Sequence, residues 1–214
     1  MAAVLDRKMD YFLVGFFPKK RVTRSSWQSL HDNDASQEFP APLPVEQLCS
    51  VSNCMVSGLE VFAYQEISMA SFNQYGGFNQ IKTALDIIAK DGGNECDLYA
   101  YAIPEIVFQD GQPQPQDIGC VDPDPFPEDP AHFTKLGYDV VEINHCSFLC
   151  SPLTCNGQAY TNQNLLNKYC LIEKEEDAIT LATMFSIQKP EPGPYIIVEI
   201  WKYVGTQTTE VPHR

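Results

Sequence analysis

The segment EKEEDAITLATMFSIQKPEPGPYIIVEIWKYV, residues 173–204, decides the fold class of this chain. Its first half predicts a helix over Glu173–Ser186, because acidic residues fill the first turn, where the helix dipole favours negative charge. Apolar side chains recur there at helical spacing and form one stripe, which consists of Ala178, Leu181, Ala182 and Phe185. Prolines and a glycine end the helix, and Tyr195–Val204 follows as a long strand with Ile196, Val198 and Ile200 facing the core. The segment therefore predicts a helix packed on a sheet.

Similar elements occur earlier in the chain. Tyr11–Phe17 is apolar on both faces, which is typical of a central strand. Leu98–Ile103 and Gly137–Ile143 predict further strands, and Pro104 after the first of these indicates an edge or a bulge. A second helical stripe consists of Phe78, Ile81, Leu85 and Ile88. We therefore predict an α+β fold, with a single sheet of about five to seven strands and two main helices that bury both stripes against it.

One long segment divides the chain. Residues 109–130 contain six prolines and six acids but no base, so we expect this stretch to be extended, exposed and free of regular structure. The predicted organisation is a first half at 1–108, an acidic proline-rich connection at 109–134 and a second half at 135–214. The halves are expected to form one compact domain.

Two cysteine sextets of the form CSxxxC stand in the two halves, at Cys49–Cys54 and Cys150–Cys155. Each follows an apolar strand and precedes a helix and a further strand. This order is compatible with a pseudo-duplicated unit of strand, loop, helix and strand. Separate evolution of the two sextets is the favoured interpretation, because strand–helix–strand order recurs in any protein of this class.

The sextets also offer four thiols to a metal ion. If zinc is bound, its ligands are expected to be Cys49, Cys54, Cys150 and Cys155. Four residues between the cysteines of each sextet make a looser turn than a usual zinc knuckle has, so we favour buried, metal-free thiols and no cofactor. A small zinc-stabilised structural protein remains an alternative. No catalytic motif is recognised, and no catalytic residue is assigned.

The charge of the chain restricts its partners. Its 214 residues carry a net charge of −14, which argues against binding to nucleic acids and to anionic membrane surfaces. Outside residues 1–24, eight bases face 26 acids, so a basic protein is the expected partner. The basic run Lys19–Arg21 is interpreted as a solvated loop after the first strand, with a phosphate- or partner-binding patch as the alternative.

The sequence predicts a cytoplasmic protein. No stretch reaches the roughly 20 apolar residues of a membrane helix. The apolar run Tyr11–Phe17 is short and lacks the features of a signal peptide.

The leading functional hypothesis is a non-catalytic, acidic protein-binding module, either an inhibitor or immunity-type protein or a subunit of a larger assembly. Its contact surface is assigned to the aromatic face of the last strand, Tyr195, Trp201 and Tyr203, unless a second layer of structure covers that face. The alternative is an enzyme of unrecognised type with a site near the Cys150–Cys155 loop. A deep pocket lined by that loop, Glu142 or His145 would favour the enzyme, and a flat acidic face would favour the binding module.

Overall fold

The structure is a computed structural model of the 214-residue chain. It describes residues 9–23, 47–51, 72–92, 96–117, 132–144, 147–154 and 163–205. The helices in these ranges are α1 (Ile81–Ile87) and α2 (Glu175–Gln188). The strands are β1 (Tyr11–Lys20), β2 (Val22–Thr23), β3 (Gln47–Leu48), β4 (Cys96–Pro104), β5 (Ile106–Gln109), β6 (Gln112–Pro115), β7 (Phe133–Asn144), β8 (Ser147–Phe148) and β9 (Tyr195–Tyr203).

The predicted α+β class is confirmed. Seven strands form the main sheet, every pairing in it is antiparallel, and β2 and β3 form a separate pair. Its centre has the order β1-β4-β9-β7, and the hairpin β5–β6 joins β9 through Phe108 and Tyr195. Both helices contribute to apolar clusters on one face of this sheet. The opposite apolar face is covered by residues near Cys49, Phe148 and Leu171.

The helix α2 packs as its sequence predicts. Its buried residues include the whole predicted stripe, and Phe185 lies 5.8 Å from the ring of Tyr195 on β9. It begins two residues later than expected, because Lys174 has extended dihedral angles and forms the N-cap. The predicted core residues of β9 are also confirmed, since Ile196, Val198 and Ile200 belong to one buried cluster. Tyr195 and Ile197 are buried as well, in the cluster on the helix side of the sheet.

The stripe predicted for α1 is wrong in part. Phe78 is buried but precedes the helix, because its backbone is paired with Phe16 of β1. The helix therefore begins at Ile81, and its buried side chains are Ala84 and Ile87. The other predicted members, Ile81, Leu85 and Ile88, are half-buried at the edge of the same cluster. One turn of π-helix follows at Ile88–Gly92.

Two strand positions also differ from expectation. Tyr11–Phe17 lies in β1, which is an edge strand among the described residues rather than a central one. Its apolar faces are both covered, one by the helix layer and the other by the segment at Cys49–Val51. The strand β4 is an inner strand, and Pro104 is its last residue, where a missing N–H group disturbs the ladder least.

The expected irregular connection is also corrected. β6 lies inside the 109–130 segment and forms a hairpin with β5. Its turn consists of Asp110 and Gly111, which both have positive φ (49° and 78°), as a two-residue hairpin turn requires. The prolines of β6 stand on an edge strand, where proline is tolerated. Residues 118–131 lie outside the described residues.

Two strand–turn–helix–strand units in the described chain have matching geometry. The first comprises β1, α1 and β4, and the second comprises β7, α2 and β9. Each opening strand shifts its register at a glycine, Gly15 (φ 143°) or Gly137 (φ 144°). Each helix begins eight residues after an asparagine, Asn73 or Asn167.

The two asparagines make corresponding hydrogen bonds. Asn73 Nδ2 donates to the carbonyl of Val14 (2.7 Å), and its Oδ1 accepts from two backbone N–H groups of its own turn. Asn167 Nδ2 donates to the carbonyl of Leu136 (2.8 Å), and its Oδ1 likewise accepts from two N–H groups. Each asparagine thereby ties a turn to the glycine bulge of its strand.

A pseudo-two-fold axis relates the two units. Gly15 pairs with Tyr101, Gly137 pairs with Ile200, and Tyr101 and Ile200 pair with each other between β4 and β9. The axis therefore passes through that central pair. An origin of the two units by duplication stays a prediction, and the second half of each cysteine sextet lies outside the described residues.

Candidate functional site

The two cysteine–serine segments converge on one buried carboxylate. Asp139 of β7 has no exposed surface, and its Oδ2 accepts hydrogen bonds from Ser50 Oγ and the N–H of Val51, both at 2.9 Å. Ser151 Oγ donates to the other oxygen, Oδ1. Burial raises the pKa of Asp139, and these hydrogen bonds act in the opposite direction. Because its lone pairs are occupied by the protein, this carboxylate acts as a structural clamp for both segments.

Two buried cysteines near this clamp, Cys49 and Cys170, have thiol pKa values well above neutral pH. Burial raises the pKa of Cys49 to about 11 and that of Cys170 to about 12. The thiolate is the form that attacks electrophiles and binds metals, so neither side chain is poised for such chemistry at neutral pH. Cys49 Sγ instead lies 3.5 Å from Tyr99 Oη.

The four predicted zinc ligands are described only in part. Cys49 is buried and Cys150 is half-buried, and neither belongs to a disulfide. Cys54 and Cys155 lie outside the described residues. Within the described ranges, no group of three or more histidine, cysteine or acidic side chains could hold a metal ion.

Two members of the basic run, Lys19 at the end of β1 and Arg21 just after it, are engaged within the fold. Arg21 makes two hydrogen bonds to Asp97, at 2.9 and 3.1 Å, and Lys202 donates to the same carboxylate at 2.9 Å. Lys19 Nζ donates to the carbonyl of Val51 (3.2 Å). The basic run is therefore not the solvated loop that the sequence predicts, because Lys19 and Lys20 belong to β1 and Arg21 is ion-paired with Asp97. A phosphate- or partner-binding patch stays a prediction.

A polar network lies on the helix-covered face of the second unit. Lys135 of β7 donates to Tyr138 Oη (2.6 Å) and to Glu199 of β9, and Trp201 Nε1 donates to the same glutamate at 3.0 Å. Burial by itself would lower the pKa of Lys135, but the hydrogen bonds to Glu199 and Tyr138 raise it overall. The ammonium group therefore stays charged at neutral pH.

This network adjoins a cleft of about 620 Å³. The cleft lies where the Asn167 turn meets the bulge of β7, and it is lined by Lys135, Leu136, Gly137, Asn167, Lys168, Tyr169 and Glu173. It differs from the pocket that would have favoured an enzyme site at the second cysteine loop. There Glu142 is buried, and His145 and Cys155 lie outside the described residues.

Five acids from the start of α2 and from three connecting segments form what we call the acidic face: Asp10, Glu105, Asp117, Glu175 and Glu176. Three backbone contacts bring them together. The N–H of Met9 donates to Glu175 Oε1 (3.2 Å), Tyr11 pairs with Pro104, and the N–H of Gln116 donates to the carbonyl of Glu105 (2.9 Å). All but Glu175 are exposed. Lys174 precedes Glu175 in the chain and is exposed.

The aromatic face predicted to contact a partner is partly covered by helices. Tyr195 has no exposed surface, and its hydroxyl donates to the carbonyl of Glu191 at 2.6 Å. Trp201 and Tyr203 are half-buried and pack against the cluster that contains α1. Any contact from this face is therefore limited to Trp201 and Tyr203.

Sequence reasoning missed the cleft and its asparagine turn. The available signal was the repeated Asn-x-Tyr at Asn73–Tyr75 and Asn167–Tyr169, which the cysteine sextets obscured. Lys135 was a second signal, because it is a charged residue that enters an apolar strand.

Comparison of this chain with known protein families, with curated proteins and with solved structures finds no match. None of the described helices has the length and apolar character needed to cross a membrane.

Proposed function

We propose that the protein is a non-catalytic, acidic binding module that captures a basic protein partner. The observation that carries this proposal is the acidic face, where separate elements place Asp10, Glu105, Asp117 and Glu176 at one exposed end of the fold. Like charges gathered on one surface speed the capture of an oppositely charged partner and make it sensitive to salt. The chain's net charge of −14 strengthens the same attraction.

The state of the buried reactive groups supports binding over catalysis by a cysteine. Cys49 and Cys170 are protonated thiols, and Asp139 is saturated by hydrogen bonds from the protein. Trp201 and Tyr203 remain candidates for an apolar contact beside the charged one. We place the module in the cytoplasm within this proposal, because free thiols stay reduced there.

Capture from a lysate of the source cells tests the proposal. We expect a basic protein to bind stoichiometrically at low salt and to be released at high salt. Changing Glu105, Asp117 and Glu176 together to lysine should abolish its capture, because the attraction becomes a repulsion. Asp86→Lys is the matched control, since Asp86 is an exposed acid on α1, away from this face.

Two results would overturn the proposal. One is the absence of any stoichiometric partner in lysates of the source cells. The other is a partner whose capture responds neither to salt nor to the triple charge reversal.

A further inference from the structure

One aromatic side chain is exposed at the end of the sheet that carries the acidic face. Phe12 of β1 is 41% exposed, and it is the only aromatic residue among the exposed large hydrophobic side chains of the described ranges. Its strand neighbours Tyr11 and Leu13 pack against the clusters on the helix side. Its partner on β4, Ile103, belongs to the opposite cluster. Because side chains alternate along a strand, the ring of Phe12 lies on the sheet face opposite the helices.

Two exposed acids lie on the same face as this ring. Both chain neighbours of Asp10 pack on the helix side, so the alternation directs Asp10 to the face of Phe12. Glu105 is the alternate residue between Ile103 and Val107, which both belong to the cluster on that face. The ring of Phe12 is therefore flanked by carboxylates at the edge of the acidic face.

The two acids face each other across β1 and β4. The antiparallel register of these strands, continued by one residue, pairs Asp10 with Glu105. The second unit has the equivalent pair, because His132 and Val204 are joined there by a backbone hydrogen bond of 2.9 Å. Side chains opposite each other in such a pair have Cβ atoms about 5 Å apart, and like charges at that position are destabilising. A cation between them would relieve the repulsion.

The backbone arrangement requires neither the exposed ring nor the opposed carboxylates. Phe12 lies three residues before the bulge glycine of its strand, and the residue at that place in the second unit is Thr134, which is exposed and polar. The places of the two acids are taken there by His132 and Val204, which are not a pair of like charges. An exposed phenyl ring and opposed carboxylates are both unfavourable in the free protein. Binding of a partner accounts for their occurrence together.

The chemistry of this surface selects among cations. A guanidinium group is planar and weakly hydrated, so its face stacks on an aromatic ring while the N–H groups at its edges donate to carboxylates. Its five N–H donors suffice for two carboxylates at once. An ammonium group is a strongly hydrated point charge, which pairs with the acids but gains less from the ring. Phe12 between Asp10 and Glu105 therefore complements arginine better than lysine.

We propose that Phe12 is the aromatic anchor for the basic partner, with an arginine side chain of that partner stacked on its ring between Asp10 and Glu105. The inference rests on the proposed capture of a basic protein, because both acids belong to the acidic face. It adds a requirement that net charge alone does not impose, namely that the partner presents arginine at this point.

Titration of the intact protein with two synthetic peptides tests the contact. The probes are capped hexa-arginine and hexa-lysine, which carry equal charge, in a buffer of low salt concentration. We expect both to bind, and hexa-arginine to bind at least about threefold more tightly, which is the ratio that a cation–π contact at an exposed ring provides. Calorimetry gives the two affinities. Nuclear magnetic resonance should show larger amide shifts at Phe12 and Glu105 with hexa-arginine.

Variants then locate the contact. Phe12→Leu keeps an apolar side chain without an aromatic face, so the affinity for hexa-arginine should fall about threefold while that for hexa-lysine stays unchanged. Phe12→Trp should restore the preference, because tryptophan binds cations best. Val204→Ala is the matched control, since Val204 is a similarly exposed apolar residue (43%) after β9, and both affinities should stay unchanged. The comparison of the two peptides on the wild type decides the proposal even if Phe12→Leu fails to fold.

Different results overturn the two proposals. Equal affinities of the two peptides, or a preference for hexa-arginine that Phe12→Leu leaves unchanged, would overturn the arginine contact and leave the capture of a basic protein standing. If neither peptide binds, or if the triple charge reversal of Glu105, Asp117 and Glu176 leaves the affinities unchanged, both proposals are wrong.

Discussion

The two units of this protein have one backbone plan and different contents. Both place a glycine bulge beside an asparagine turn and a helix, and the axis between them passes through Tyr101 and Ile200. The first unit fills the corresponding interior positions with Leu13, Phe16 and alanines, whereas the second holds the Lys135 network, the cleft and the Asp139 clamp. The same backbone arrangement therefore forms with apolar or with polar side chains at these positions. The polar side chains of the second unit are accordingly among the ones to test for function.

The largest expected effect concerns the glycine bulges. A methyl group on Gly137 would lie 2.6 Å from the carbonyl oxygen of Ile172, and on Gly15 it would lie 2.7 Å from the side-chain amide of Asn73. A backbone carbonyl yields less easily than a side chain, so Gly137→Ala should lower the free energy of unfolding by about 4 kcal/mol and Gly15→Ala by less.

Denaturant unfolding measures both changes. Gly76→Ala is the control, because Gly76 also has positive φ (77°) but open space around its Cβ position, and about 1 kcal/mol is expected there. Equal losses at all three glycines would show that close approach plays no part at the bulges.

A smaller effect separates the two helices. Leu181 of α2 is buried among sheet residues, so Leu181→Ala should cost about 3 kcal/mol in unfolding free energy. Leu85 of α1 is half-buried, and Leu85→Ala should cost roughly 1 kcal/mol. Thermal and denaturant unfolding of the two variants would contradict this assignment of helix faces if Leu85→Ala proved the more damaging.

A third prediction tests the carboxylate clamp that only the second unit has. Asp139 occupies the position that corresponds to Phe17 of the first unit. Asp139→Asn should lower the free energy of unfolding by about 2 kcal/mol at neutral pH, because an amide cannot accept all the hydrogen bonds that the carboxylate accepts. Unfolding measured in urea at neutral pH gives this difference directly.

The pH dependence of the same pair of proteins has a defined sign. Because the pKa of Asp139 is raised in the folded state, that state takes up a proton at a higher pH than the unfolded chain does. The contribution of Asp139 to the free energy of unfolding therefore increases as the pH falls through its pKa in the folded state. The contribution decreases again as the pH rises. The wild type should gain stability relative to Asp139→Asn on acidification, and a constant difference between them would contradict the raised pKa.

The smallest expected effect concerns zinc. Cys49 and Cys150 correspond in sequence between the halves, and we expect purified protein to carry about no zinc, since the Cys49 thiol is buried and protonated. Elemental analysis near one equivalent, lost together with folding on addition of a chelator, would instead establish the zinc-stabilised alternative.

Local patterns predicted much of the fold. The stripe of α2 and the shared face of Ile196, Val198 and Ile200 on β9 were predicted correctly, because residues that contact one layer recur with the period of their element. The α1 stripe was misassigned because Phe78 belongs to a bridge with Phe16, a partner 62 residues away in the chain. The β5–β6 hairpin was missed because the prolines of β6 outweighed the Asp110–Gly111 turn signal.

The sequence by itself determined the α+β class, the length and inward face of the second helix, and a net charge of −14. Only the tertiary structure decided which charges act together. It brought Ser50 and Ser151 to Asp139, and Lys135 to Glu199, over separations of 89, 12 and 64 residues. Periodicity records which side of an element is buried, but it does not record which distant side chain lies opposite. That pairing depends on strand order and register, which long-range contacts establish.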